Sequence, residues 1–183
     1  MRNLLTAMLT AGALLGVADS ASAANPATAT FTVSATVLKT CSVGATNLGF
    51  GNYTPGNGAL TATSTITVSC TKGTTYTVAL NGGSSGGTVA QRQMLQTAGT
   101  STLQYNLCTN VTTAAGLCQA NQAWGDGTNG TVMQNGTGAG MGGGNATAFS
   151  VNGVLPDNAN NQTAAVVGIS TLYSDLVTVS VAY

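Results

Sequence analysis

The chain has 183 residues, 43% of them hydrophobic, with four Lys or Arg against four Asp or Glu and no His. So few cations cannot displace the counterions of a nucleic acid, and without His there is no Ser-His-Asp relay. A net charge of zero also removes the repulsion that keeps soluble domains apart, so association with other chains is expected.

The first element is an address. Met1-Arg2-Asn3 supplies a positive start, residues 4–17 an uncharged apolar run, and Ala21-Ser22-Ala23 a small-x-small cleavage site. The run is shorter than the roughly 20 apolar residues that span a membrane, which predicts a secretory signal over residues 1–23.

Residues 27–38 (ATATFTVSATVL) alternate with period two. Ala27, Ala29, Phe31, Val33, Ala35 and Val37 lie on one face, and the face opposite is Thr or Ser from Thr28 to Thr36. The segment carries no charge and no Pro, the residues that protect a sheet edge from unwanted pairing. Two readings are open. It is the first strand of its own domain, or it adds to an exposed edge of a neighbouring copy, with Ala27, Ala29, Phe31 and Val33 entering that copy's core. A division of labour is also possible, residues 24–34 being donated and the native domain starting at residue 35. About ten residues at about 3.3 Å each reach some 33 Å, the length of a sandwich.

Further strands are predicted around Ile66, Val68 and Cys70, around Tyr76, Val78 and Leu80, and around Leu103, Tyr105 and Leu107. The second of these stops at the turn signal Asn81-Gly82-Gly83. Residues 125–145 are almost low-complexity and are equally readable as one loop or as two short strands around a hairpin. The chain closes on Val177, Val179, Val181 and Tyr183, alternating with Thr178 and Ser180.

Export places Cys41, Cys70, Cys108 and Cys118 in an oxidising compartment, where two disulfides are the default and three pairings are open. Cys41–Cys70 and Cys108–Cys118 are favoured, because each member of the first pair ends a strand-like run and the second pair brackets a short loop. The chain-entropy account gives about 3 to 4 and about 2 to 3 kcal/mol for these closures. With no Cys-x-x-Cys and no His, zinc is disfavoured. Asp126 alone falls short of the several oxygens that calcium requires. Scattered carboxylates without His give no acid–base pair, so no catalysis, metal or cofactor is expected. Many short strands, turn signals and a disulfide predict an all-β, immunoglobulin-like antiparallel β-sandwich.

The pieces Phe31-Thr-Val-Ser-Ala-Thr-Val37, Cys41-Ser-Val43, Ile66-Thr-Val-Ser-Cys70, Leu103-Gln-Tyr-Asn-Leu107, Trp124-Gly-Asp-Gly127 and Tyr173-Ser-Asp-Leu-Val-Thr-Val-Ser-Val-Ala-Tyr183 occur in this order. Together they resemble the spore coat protein U domain family, which includes major subunits of archaic (Csu-type) chaperone–usher pili. The resemblance implies an incomplete immunoglobulin-like sandwich over residues 35–183, completed by a donor strand from the neighbouring subunit. It implies donor positions at Ala27, Ala29, Phe31 and Val33, and an acceptor groove along Val177, Val179, Val181 and Tyr183. Cys41–Cys70 would match the family's bridge between early strands.

The partners so implied are identical subunits in a homopolymer, a periplasmic chaperone and an outer-membrane usher, with a tip adhesin as a further candidate. The location would be a pilus on a Gram-negative-type cell surface, reached through the periplasm, with roles in adhesion or biofilm formation. The alternatives are a spore-coat or other secreted surface-layer protein, and a self-complete β-sandwich binding module that uses Trp124 and the tyrosines.

Overall fold

The computed structural model describes residues 26–110, 117–166 and 171–183, so the secretory signal expected over residues 1–23 lies outside the described residues. The chain divides into two units, residues 1–36 and residues 37–183.

In the first unit, residues 26–36 are exposed and form no strand, with Phe31 88% and Val33 82% accessible. In the second unit, residues 37–40 are also exposed and outside any strand, and the first ladder begins at Cys41. Among the described residues, 27–38 thus form no strand, and the first ladder starts at Cys41. Val37 and Leu38 remain 80% and 76% accessible because no strand covers them. Thr40 is the point of attachment: the Thr71 amide donates to its carbonyl at 2.9 Å, and its own amide donates to Thr71 Oγ1 at 3.1 Å.

The second unit is built almost entirely of antiparallel strands. They are β1 (Cys41–Ala45), β2 (Leu60–Cys70), β3 (Thr75–Leu80), β4 (Arg92–Gln96), β5 (Thr102–Cys108), β6 (Gln134–Thr137), β7 (Thr147–Leu155), β8 (Tyr173–Ser174) and β9 (Val179–Ala182), with one helical turn, α1 (Ala159–Gln162). One sheet runs β1-β2-β7-β5-β4-β8 and the other β6-β3-β9. The alternation read from the sequence supplies the core between them. Ile66, Val68 and Cys70 from β2, Leu103, Tyr105 and Leu107 from β5, and Tyr76, Val78 and Leu80 from β3 are all buried in one cluster. The disulfides are Cys41–Cys70 and Cys108–Cys118. The first joins residues that face each other in the β1–β2 register, which fastens the start of β1 to the end of β2.

Residues 125–145 contain a single strand, β6, paired with β3, and no hairpin among themselves. Two other strands were hidden by their composition. β7 reads Phe149, Val151, Gly153 and Leu155 on its inner face, and the glycine interrupts the apolar pattern. Leu48 and Phe50 fill that gap: a Cβ on Gly153 would meet both at about 3 Å, so their side chains would have to shift. β4 turns Arg92 and Gln96 into the interior, which reverses the expected polarity.

The loop that carries Leu48 and Phe50 is anchored by Asp157. Its carboxylate accepts from Tyr53 Oη at 2.6 Å and from the amides of Gly56 and Gly58 at 3.0 and 2.8 Å. These bonds, Tyr53 first, favour the ionised form and lower its pKa to about 2. Its ordinary value is about 3.9, so the unfolded chain binds the proton first and stability rises with pH across this interval. The loop anchor is thus complete above about pH 4 and is lost as pH falls through about 2. Asp157→Asn should flatten the acid limb of a pH–stability curve in that window, and an unchanged limb would show that Asp157 does not anchor the loop.

Candidate acceptor cleft

β1 closes one end of the six-stranded sheet and β9 one end of the three-stranded sheet. Among the described residues each pairs on one side only, β1 with β2 and β9 with β3, so that each leaves its other row of main-chain donors and acceptors without a strand partner there. Between these walls lies a cleft of about 90 Å³ whose apolar lining comes from Ile66, Leu80, Leu107, Val151, Val177 and Val179. Its polar members, Thr46 and Ser64, bond to each other at 3.0 Å and so make no demand on an occupant.

Of the terminal residues named from the sequence, Val177, Val179 and Val181 are half-buried and pack against the core cluster. Their opposite neighbours Thr178, Ser180 and Ala182 are exposed. Tyr183 stands apart from the three valines, 57% accessible at the chain end. Ala27, Ala29, Phe31 and Val33, expected from the sequence as donor positions, belong to the exposed segment of the other unit.

A larger hollow, about 660 Å³, lies on the opposite face of the small sheet, lined by Thr75, Thr77, Asn135, Thr137, Ala182 and Tyr183. Tyr76 and Gly136 complete its lining. The smaller cleft is the one lined by residues of the core cluster together with Val177 and Val179.

The cleft walls are held by polar groups that the sequence did not reveal. The Trp124 indole is fully buried and donates to the Val78 carbonyl of β3 at 3.0 Å, while its backbone amide donates to Leu107 of β5 at 2.8 Å. Its ring meets Phe149 of β7 edge-on, with centroids 6.1 Å apart, so one residue binds both sheets. Arg92 is 1% accessible and donates through Nε to the Asn81 carbonyl at 2.8 Å and through Nη2 to the Trp124 carbonyl at 2.9 Å. Burial lowers its pKa, partly offset by Tyr105, Asp175 and Asp126.

Tyr105 donates to Asp175 Oδ2 at 2.6 Å, and burial with that bond pushes the phenol well above its ordinary range. For Asp175 itself burial raises the pKa, but bonds from Tyr105, Ser85, Ser84 and Leu176 outweigh it and the net shift is downward. Asp126 caps its own turn by accepting from Thr128 Oγ1 and N, and those bonds lower its pKa. Among the described residues no group of three or more His, Cys, Asp or Glu is placed to hold a metal ion.

The Spore Coat Protein U domain matches residues 27–180, nearly the whole chain beyond its first residues. The chain belongs to the Spore Coat Protein U domain family. That membership places it among structural proteins rather than enzymes. No curated protein matches it. Among solved structures it is similar to a chain of the CsuC–CsuE chaperone–tip adhesion subunit pre-assembly complex from archaic chaperone-usher Csu pili of Acinetobacter baumannii. The identity is 23% and the TM-score 0.51, over 81% of this chain and 41% of that one, a likeness of fold. This Spore Coat Protein U domain protein thus spans less than half the length of the chain it resembles.

Proposed function

We propose that the chain is a structural subunit of a surface pilus, and that it polymerises by laying residues 27–33 of one copy into the β1–β9 cleft of the next. The observation that carries this reading is the apolar cleft between two unpaired strand edges, in a chain that also bears an exposed alternating apolar segment. The four donor positions span about 20 Å when extended. Their Phe and Val would cover side chains that β9 leaves half-exposed, at about 25 cal/mol per Å² of apolar area removed from water. Main-chain bonds to β1 and β9 would complete the sandwich. The likeness to a chaperone–tip adhesion subunit complex supports a chaperone as a partner here, one that covers the cleft before assembly; an outer-membrane usher and copies of this chain complete the proposed set. Export through the periplasm to a Gram-negative-type cell surface, with adhesion or biofilm formation as the outcome, completes the proposal.

A chain lacking residues 24–34 accepts a strand but has none to give. Mixed in excess with purified intact chain, it should shorten the fibres roughly in proportion to its share of the mixture. Fibre lengths unaffected by it, measured in negative-stain images, would count against donation.

A further inference from the structure

The geometry points to Asp175 as the positioning residue of the cleft, the group that fixes the segment leading into β9 by tying it to β5 of the six-stranded sheet. This inference rests on the acceptor reading of the cleft above.

Asp175 sits between β8 and β9, two residues before Val177. Its Oδ1 accepts from the amides of Ser84, Ser85 and Leu176 at 2.8, 3.0 and 2.9 Å and from Ser84 Oγ at 3.2 Å. Its Oδ2 takes the Tyr105 hydroxyl from the six-stranded sheet. Gly83 makes room for the carboxylate: it stands at φ +85°, and a Cβ there would overlap Asp175 Oδ2.

A second anchor acts two residues further on. Asn81 exchanges two bonds with Thr178, its amide donating to the Thr178 carbonyl at 3.1 Å and its Oδ1 accepting from the Thr178 amide at 2.8 Å. Leu176 and Thr178 are thus both fixed by side chains, and Val177 between them contributes its side chain to the cleft lining. Asp157 provides a natural comparison, because it gathers a tyrosyl hydroxyl and glycine amides with the same chemistry but holds the loop between β1 and β2 instead.

The test is amide hydrogen exchange on the full chain, comparing Asp175→Asn, Tyr105→Phe and Asp157→Asn, alongside binding of a synthetic peptide of residues 26–38. Asp175→Asn should accelerate exchange across β9 by about tenfold relative to Val68 in β2, with Tyr105→Phe intermediate, while Asp157→Asn leaves that ratio unchanged. The peptide should bind Asp175→Asn about tenfold more weakly than the parent. A β9 that exchanges in step with β2, or an equal effect from Asp157→Asn, overturns the positioning role. If Asp175→Asn does not fold, Tyr105→Phe decides the matter alone, since it removes one hydroxyl and keeps the ring. A parent chain that ignores the peptide while β9 still loosens in Asp175→Asn overturns the donated-strand reading and upholds the positioning of β9.

Discussion

On the donated-strand proposal, Phe31→Asp is expected to abolish joining between subunits and to leave the subunit folded. Phe31 is 88% accessible in its own chain, so the substitution removes no contact that its own sandwich needs. In a neighbour's cleft the ring would be buried, a transfer that contributes about 1.5 to 3 kcal/mol. The aspartate forfeits that and adds the cost of desolvating a carboxylate against Ile66, Leu80 and Val179, several kcal/mol more. Together about 5 kcal/mol separate the two, or between three and four powers of ten in the equilibrium for joining. Fibre yield in negative-stain images should fall to background, while far-UV circular dichroism and both disulfides remain as in the parent. Normal fibres from Phe31→Asp would remove Phe31 from the donor.

Trp124→Ala acts on the opposite side of the account and destroys the fold. The indole is fully buried, meets Phe149 edge-on and satisfies the Val78 carbonyl. Loss of a buried aromatic costs about 3 to 5 kcal/mol, and the orphaned carbonyl adds about 1 to 3. The sum is comparable with the whole stability of a small domain, so the variant should fail to accumulate outside the cell. Trp124→Phe keeps an aromatic ring but loses the N–H and part of the bicycle, and its urea midpoint should fall by a smaller, measurable amount. An Ala variant with the parent's urea midpoint would mean that Trp124 does not join the sheets.

The sequence made the centre of the fold legible wherever one strand face is purely apolar. Ile66, Val68 and Cys70 in β2, Tyr76, Val78 and Leu80 in β3, and Leu103, Tyr105 and Leu107 in β5 were readable for that reason, and they form the observed core. Both disulfides are the pairings the sequence favoured among the three open, although Cys41 opens a strand rather than ending one. Period two failed where a face is completed by residues from elsewhere in the chain. β7 conceals its inner face at Gly153, which is filled by Leu48 and Phe50 from a distant loop. β4 conceals its own behind Arg92, a buried cation whose partners are main-chain carbonyls of β3, the turn after it and the Trp124 segment.

The same limit governs the cleft. Alternation in Val177, Val179 and Val181 indicated a strand with one apolar face, and the structure gives those valines half-buried positions beside an open edge. Nothing in the alternation announced Asp175 or Asn81, because their partners are amides of residues about 90 positions away. Asp175 caps the Leu176 amide beside it as well as the distant amides of Ser84 and Ser85. Residues 27–38 alternate as a strand does, yet among the described residues they pair with none, because alternation alone names no partner.

The most direct test is electrophoresis of material sheared from the cell surface, run without reductant, unheated against boiled, for the intact chain and for the chain lacking residues 24–34. Donated-strand assembly predicts a ladder of multimers that survives detergent, collapses to monomer on boiling and is absent from the shortened chain. Monomer in every lane, with the shortened chain equally soluble and folded, would contradict it and leave a sandwich that needs no neighbour.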